Sequence, residues 1–249
     1  MKYLREFQTV ADYNKAKSTL DLPNVSLITK TNGVYYKPVP PPYQGFCKLT
    51  LTDGSTVELE GSGKLTWAMV SNQYKYTLAS AEIGKLCTSI GSNAFYSCSN
   101  LTSCTIGNSV TSIDEFAFNS CSKLTDVTIG NSVTSIGQNV FQNCTCLTNV
   151  TIGSSVTSIG MYAFNNCSSL TSIDIPSGVT SIGNAAFSGC SNLARITSNA
   201  TTAPTIQDAF YGVKTGGTLI VPTGSTGYDV WMGTGAYYLD YYNWTKVEQ

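Results

Sequence analysis

Five cysteines stand at a fixed interval of 23 residues: Cys98, Cys121, Cys144, Cys167 and Cys190. Each is followed three positions later by a leucine: Leu101, Leu124, Leu147, Leu170 and Leu193. Thr-Ser-Ile recurs at 88–90, 111–113, 134–136, 157–159 and 180–182, and Phe95, Phe118, Phe141, Phe164 and Phe187 keep the same beat, which Phe210 extends. A period this regular means one structural unit repeated in space, each copy resting on the last.

The spacing dictates how the copies stack. One unit of 23 residues carries about seven apolar slots and cannot bury them alone, whereas identical neighbours bury them in one continuous column. The slot running Leu124, Val127, Ile129 and Leu147, Val150, Ile152 ends in strict alternation, which reads as β-strand. Strands one period apart lie about 4.8 Å from each other in a parallel sheet along one face. The stretch after each Ile-Gly, such as Ser92-Asn93-Ala94-Phe95, is expected to make a short helical or 3-10 turn on the other face. About seven rungs are expected, the outer ones degraded as caps.

The run from Ile90-Gly91-Ser92-Asn93-Ala94-Phe95-Tyr96-Ser97-Cys98 through Ile113 has the form Ile-Gly-x-x-Ala-Phe-x-x-Cys-x-x-Leu-x-x-Val-x-Ile-x-x-x-Val-Thr-x-Ile. It resembles the BspA-type leucine-rich repeat. The resemblance covers residues 78 to about 222 and implies a leucine-rich-repeat solenoid. It also implies a bacterial surface or host-contact role, with binding to extracellular proteins. Two positions depart from the pattern: Ile175-Pro176 stands where the preceding rungs have Ile-Gly, and Cys104 fills a strand slot held elsewhere by Val or Ile.

Four regions follow. Residues 1–45 form a small attachment segment: a helix from Thr9-Val10-Ala11-Asp12 to Leu20, a hairpin of Val25–Ile28 and Val34–Tyr36 about Asn32-Gly33, and the stiff spacer Pro38–Pro42. Through Thr9–Asn14 and Val25–Ile28 it resembles N-terminal segments on phage or prophage structural proteins of gut bacteria. Residues 46–63 form a hairpin about Asp53-Gly54 that caps the open N-terminal end. Residues 64–222 form the solenoid. Residues 223–249 form a C-terminal cap rich in aromatics: Trp231, Tyr237, Tyr238, Tyr241, Tyr242 and Trp244. Such a cluster folds over the last rung or presents a carbohydrate-stacking or partner-binding patch.

Chemistry is hard to find in this composition. There is no histidine, which removes the usual general base and every Ser-His or Cys-His pair. Lys and Arg number 14 against 15 Asp and Glu, so no electrostatic footprint for nucleic acid appears. No stretch is apolar enough for membrane insertion, and Met1–Phe7 lacks the apolar core of a signal peptide, so export by that route is not expected unless a leader was trimmed away. Gly61-Ser62-Gly63-Lys64 lacks the spacing of a phosphate loop and reads as a turn. The periodic cysteines read as core-filling thiols, with disulfides between neighbouring rungs as the alternative; no CxxC or His exists to close a zinc site. No metal and no cofactor is called for.

What remains is a polar face. Ser103, Asp126, Asn149 and Ser172 occupy one outward slot of the strands, and Thr105, Thr128, Thr151 and Asp174 another. With Trp231, Tyr237 and Tyr238 these are the candidate binding residues. Asp126 and Asp174 are expected about 10 Å or more apart, marginal for a paired-carboxylate hydrolase, so catalysis is not expected. The expected function is a non-enzymatic protein- or glycan-recognition and adhesion module at the cell surface or outside the cell. The alternative is a structural component of a phage appendage or surface stalk, attached, and able to self-associate, through residues 1–45.

Overall fold

The structure, a computed structural model, describes residues 29–31, 34–36 and 43–249. The chain divides into two units, Met1–Pro41 and Pro42–Gln249. In the first, β1 (Thr29–Thr31) pairs antiparallel with β2 (Val34–Tyr36), Thr31 standing opposite Val34. The expected helix through Leu20, the strand at Val25–Ile28 and the Pro38–Pro42 spacer lie outside the described residues.

The second unit opens with the hairpin of β3 (Cys47–Leu51) and β4 (Thr56–Leu59). At its turn the Asp53 carboxylate accepts from the Ser55 N–H at 2.9 Å and the Ser55 hydroxyl at 2.6 Å. Next come β5 (Gly63–Leu65) and the single-turn helix α1 (Ser71–Tyr74). Gly63 and Lys64 therefore begin a strand, where a turn was expected.

From here each rung supplies two strands. They are β6 (Leu78–Ile83) and β7 (Cys87–Ile90), then β8 (Ser103–Ile106) and β9 (Ser112–Ile113), then β10 (Asp126–Thr128) and β11 (Ser135–Ile136). β12 (Asn149–Thr151) and β13 (Ser158–Ile159) follow, then β14 (Ser172–Ile175) and β15 (Ser181–Ile182), then β16 (Arg195–Ser198) and β17 (Thr205–Ile206). β18 (Thr218–Val221) and the terminal β19 (Thr245–Glu248) complete the unit.

From β6 to β18 the even-numbered strands lie on one face in two parallel runs, β6 to β12 and β14 to β18, in the register the period demands: Ser103 beside Asp126 beside Asn149. The Thr-Ser-Ile strands build a second parallel sheet, order β17-β15-β13-β11-β9-β7-β5, which the sequence reading did not foresee. Its threonines stitch rung to rung, since Thr134, Thr157 and Thr180 each direct N–H and hydroxyl to the carbonyl of the threonine one rung back, at 2.8–3.2 Å.

The third side is a run of i→i+3 turns whose N–H groups also bond forward. Phe95 N–H donates to Ala117 O at 2.7 Å, Phe118 N–H to Val140 O at 2.9 Å and Phe141 N–H to Ala163 O at 2.8 Å. The phenylalanine rings lie inside, fully buried and stacked, with centroids 4.7 to 6.0 Å apart from Phe95 to Phe210. At that separation stacked rings gain dispersion beyond their burial, so the column is the spine of the core.

Both ends are covered. β3 runs antiparallel along β6, placing Phe46, Cys47 and Leu49 over the first rung, all buried. At the other end β19 adds in parallel to β18. Trp231 closes the ring column against Phe210 at 5.3 Å, its indole N–H donating to Pro204 O at 2.9 Å. The indole of Trp244 donates to Lys214 O at 2.7 Å.

Candidate functional site

The eight polar residues expected on the outer strand face all lie there. Thr105, Asp126, Thr128, Asn149, Thr151 and Asp174 are exposed, and Ser103 and Ser172 half-buried. The pleat explains it: their neighbours Cys104, Val127 and Ile173 turn inward and are at most 2% exposed.

The face is not uniform. The sheet carrying it runs β12-β10-β8-β6-β3-β4 and stops; a separate sheet, β14-β16-β18-β19, starts at the next rung. Thr148 still directs N–H and hydroxyl to Thr125 O, at 3.0 and 3.2 Å. The ladder resumes where Ala194 N–H reaches Thr171 O at 2.9 Å. On the other two sides the stack is continuous across this step: Ser158 pairs with Ser181, and Phe141 stacks on Phe164 at 5.3 Å. The rungs are therefore parted on one side only.

Pro176 stands at the seam. Its slot is held one, two and three rungs earlier by Gly153, Gly130 and Gly107. Gly107 N–H donates to Ile83 O at 3.0 Å, a bond proline cannot make. The backbones also approach so closely that a Cβ on Gly153 would lie 2.3 Å from Gly130 O. Proline brings that carbon and has no such donor, but Pro222 fills the same slot two rungs on and β18 ahead of it stays paired with β16.

The gap is a cleft of about 390 Å³. Its floor is Val150 and Ile152, half-buried here although their equivalents Val127 and Ile129 are each 2% exposed. Thr151 and Ser154 form one rim, Asp174, Pro176 and Ser177 the other, with Asn199 at the end. Asn199 is held by its side-chain amide, which donates to Ile175 O at 3.1 Å. Of the predicted residues only Thr151 and Asp174 line the cleft. Sequence reasoning missed Val150, Ile152, Ser154, Ser177 and Asn199; the one signal for them was the Ile175-Pro176 departure.

The aromatic candidates divide. Trp231 is fully buried, a correction to its placement among binding residues. The last rung leaves Phe210 open, and the largest apolar side chain of the tail covers it. Tyr237 is exposed and tilts against Tyr211 at 5.7 Å between centroids. Tyr238 is half-buried, its ring folded over Gly233.

The sequence profile of the BspA type leucine rich repeat region matches six times across residues 73–222. The chain belongs to the BspA-type leucine-rich repeat family. Its fold is that family's solenoid. Among solved structures it is similar to a leucine-rich repeat protein of T. pallidum, at 22% identity over 64% of this chain and 74% of that one, with a TM-score of 0.46. It is similar to a leucine-rich repeat protein of Bacteroides ovatus at 22% identity over 81% of this chain and 58% of that one, TM-score 0.43. A leucine rich cell surface protein of Faecalibacterium prausnitzii is 24% identical over 81% of this chain and 72% of that one, TM-score 0.41. No curated protein matches the sequence.

On this BspA-type scaffold the Asp126 carboxylate of the strand face is a hydrogen-bond acceptor. Asp126 accepts from the Thr125 hydroxyl at 2.5 Å and from the Asn149 amide at 2.7 Å. Those two bonds hold its carboxyl below the usual carboxylate range, the reverse of what a general acid needs. Asp126 and Asp174 fall in different outward slots, with the Asn149 rung between them. All nine cysteines are free, eight of them buried. Among the described residues no three His, Cys, Asp or Glu side chains gather as metal ligands, and no helix is long and apolar enough to cross a membrane.

Proposed function

We propose that the protein is a non-enzymatic recognition and adhesion module, displayed at a bacterial cell surface, that engages a partner protein through its outer strand face at the cleft beside Pro176. The observation that carries this reading is the exposure of Val150 and Ile152 at the seam. Elsewhere the face offers small hydroxyls and amides, which contribute little to binding. Here two aliphatic side chains lie open between polar rims, and the facing edges of β12 and β14 carry no ladder between them. An apolar floor, a polar rim and unpaired strand edges suit an extended segment of a partner. Family membership supports the same reading, since the repeat is a scaffold whose extended face serves binding.

The test is surface plasmon resonance of the full chain over purified extracellular-matrix proteins. Val150→Asp or Ile152→Glu should weaken binding at least about tenfold, whereas Glu115→Lys, exposed on the turn side of the stack, should leave it unchanged. Absence of binding across the panel, or binding indifferent to both cleft variants, would overturn the reading. Multimerisation that depends on residues 1–45 would support a structural appendage in its place.

A further inference from the structure

A second cavity, about 400 Å³, shares no residue with the cleft. Three aromatic side chains surround it: Trp67, Tyr76 and Tyr96, exposed by 47, 71 and 38%. Tyr96 comes from a rung and the other two from the loop through α1, so the fold brings them together from separate places in the chain.

The rings are held open by a fixed frame. The N–H groups of Val70 and Asn72 both donate to Trp67 O, at 3.3 and 3.1 Å. Buried Ser71 ties the loop to the rung, its hydroxyl donating to Ala94 O at 2.8 Å. Tyr76 O accepts from the Asn100 side-chain amide at 2.7 Å. Rigid rings left exposed in one cavity bind at low entropic cost.

The polar groups around them indicate the ligand. Asn72 and Gln73 present exposed amides, each both donor and acceptor. The Lys75 ammonium stands 5.4 Å from the Tyr76 centroid and 5.9 Å from that of Tyr96. No carboxylate lines the cavity, and Lys75 forms no ion pair among the described residues. The site therefore complements a ligand with stacking faces, many hydroxyls and a negative charge.

We propose that this cavity binds an acidic glycan. The aromatic rings take the C–H faces of pyranose units, the Asn72 and Gln73 amides bond their hydroxyls, and Lys75 pairs with a sugar carboxylate. The site is independent of the strand-face cleft, and either can fail without the other.

Affinity electrophoresis of the full chain tests it, in gels carrying polygalacturonate, its methyl ester, alginate or hyaluronate. An acidic polysaccharide should retard the chain, and the ester about tenfold less than polygalacturonate. Trp67→Ala and Tyr96→Ala should abolish retardation, and Lys75→Gln should bring polygalacturonate down to the level of its ester. Should Tyr96→Ala lower the melting temperature, the heavily exposed Tyr76→Ala carries the test. Tyr237→Ala serves as the remote control. The proposal falls if none of the acidic polysaccharides retards the chain, if retardation survives Trp67→Ala, if ester and acid act alike, or if Tyr237→Ala abolishes it.

Discussion

The thiol of Cys167 donates to the backbone carbonyl of Phe141, 3.1 Å away in the preceding rung. That carbonyl also accepts the Cys144 N–H, at 3.2 Å. Cys144 repeats the arrangement toward Phe118 O at 3.2 Å and Cys190 toward Phe164 O at 3.1 Å. The slot thus takes a small apolar side chain with one weak donor, which is what a thiol is. Cys167→Ala keeps the volume nearly filled and leaves the carbonyl with one partner. It should cost about 1–2 kcal/mol in urea unfolding; a neutral change would mean that the contact contributes nothing.

Thiol chemistry reports on the same column. Cys146 is exposed and the other eight cysteines are buried, so a thiol reagent should label one site per native chain quickly and the rest only in denaturant.

Stability should also fall at alkaline pH. Burial pushes the Cys144 and Cys190 thiols up to about 12. In the unfolded chain they ionise near about pH 8.5. Between these values the unfolded state releases protons that the folded state keeps. Stability is therefore complete below about pH 8.5 and declines up to about pH 12, by about 1.4 kcal/mol per pH unit for each such thiol. Denaturation under reducing conditions at neutral pH and near pH 10 measures the slope, and Cys144→Ala should flatten it.

The ring column gives the largest single cost. Phe141 is stacked on both sides, with centroids 5.3 Å from Phe118 and from Phe164. Neither neighbour can move in without giving up its own stack, so Phe141→Ala should lose about 3–5 kcal/mol. A loss below about 1 kcal/mol would show that the site collapses freely.

Restoring glycine at the seam should close it. Pro176→Gly returns the N–H and removes the side-chain carbons that Gly153, Gly130 and Gly107 lack in this slot. Hydrogen exchange at the amides of β14 should slow, and Val150 and Ile152 should become as inaccessible as Val127 and Ile129. Binding at the cleft should weaken with them. Unchanged exchange would mean that something other than Pro176 holds the rungs apart.

The period in the sequence carried the core almost whole. Every Phe, Cys and Leu of the repeat is buried where its register put it, because each slot is reinforced by identical neighbours above and below. The second sheet was not legible, since strands such as Ser112–Ile113 and Ser135–Ile136 are two residues long and carry no alternation. The cleft lies beside one departure from the repeat, Pro176, and takes shape only once the rungs are stacked. The tail has no register, so nothing local separated Trp231, which seals Phe210, from Tyr237, which stays outside. Trp67, Tyr76 and Tyr96 meet only through the fold.

The one-sided parting at Pro176 also has a mechanical meaning. Tension along the stack is shared at the neighbouring steps by two strand ladders and the turn side. At Pro176 one ladder is missing, so the load falls on the Thr-Ser-Ile strands and the rings. A pulled molecule should yield there first, with the rungs on either side still folded, and its weakest joint would coincide with the cleft proposed to bind.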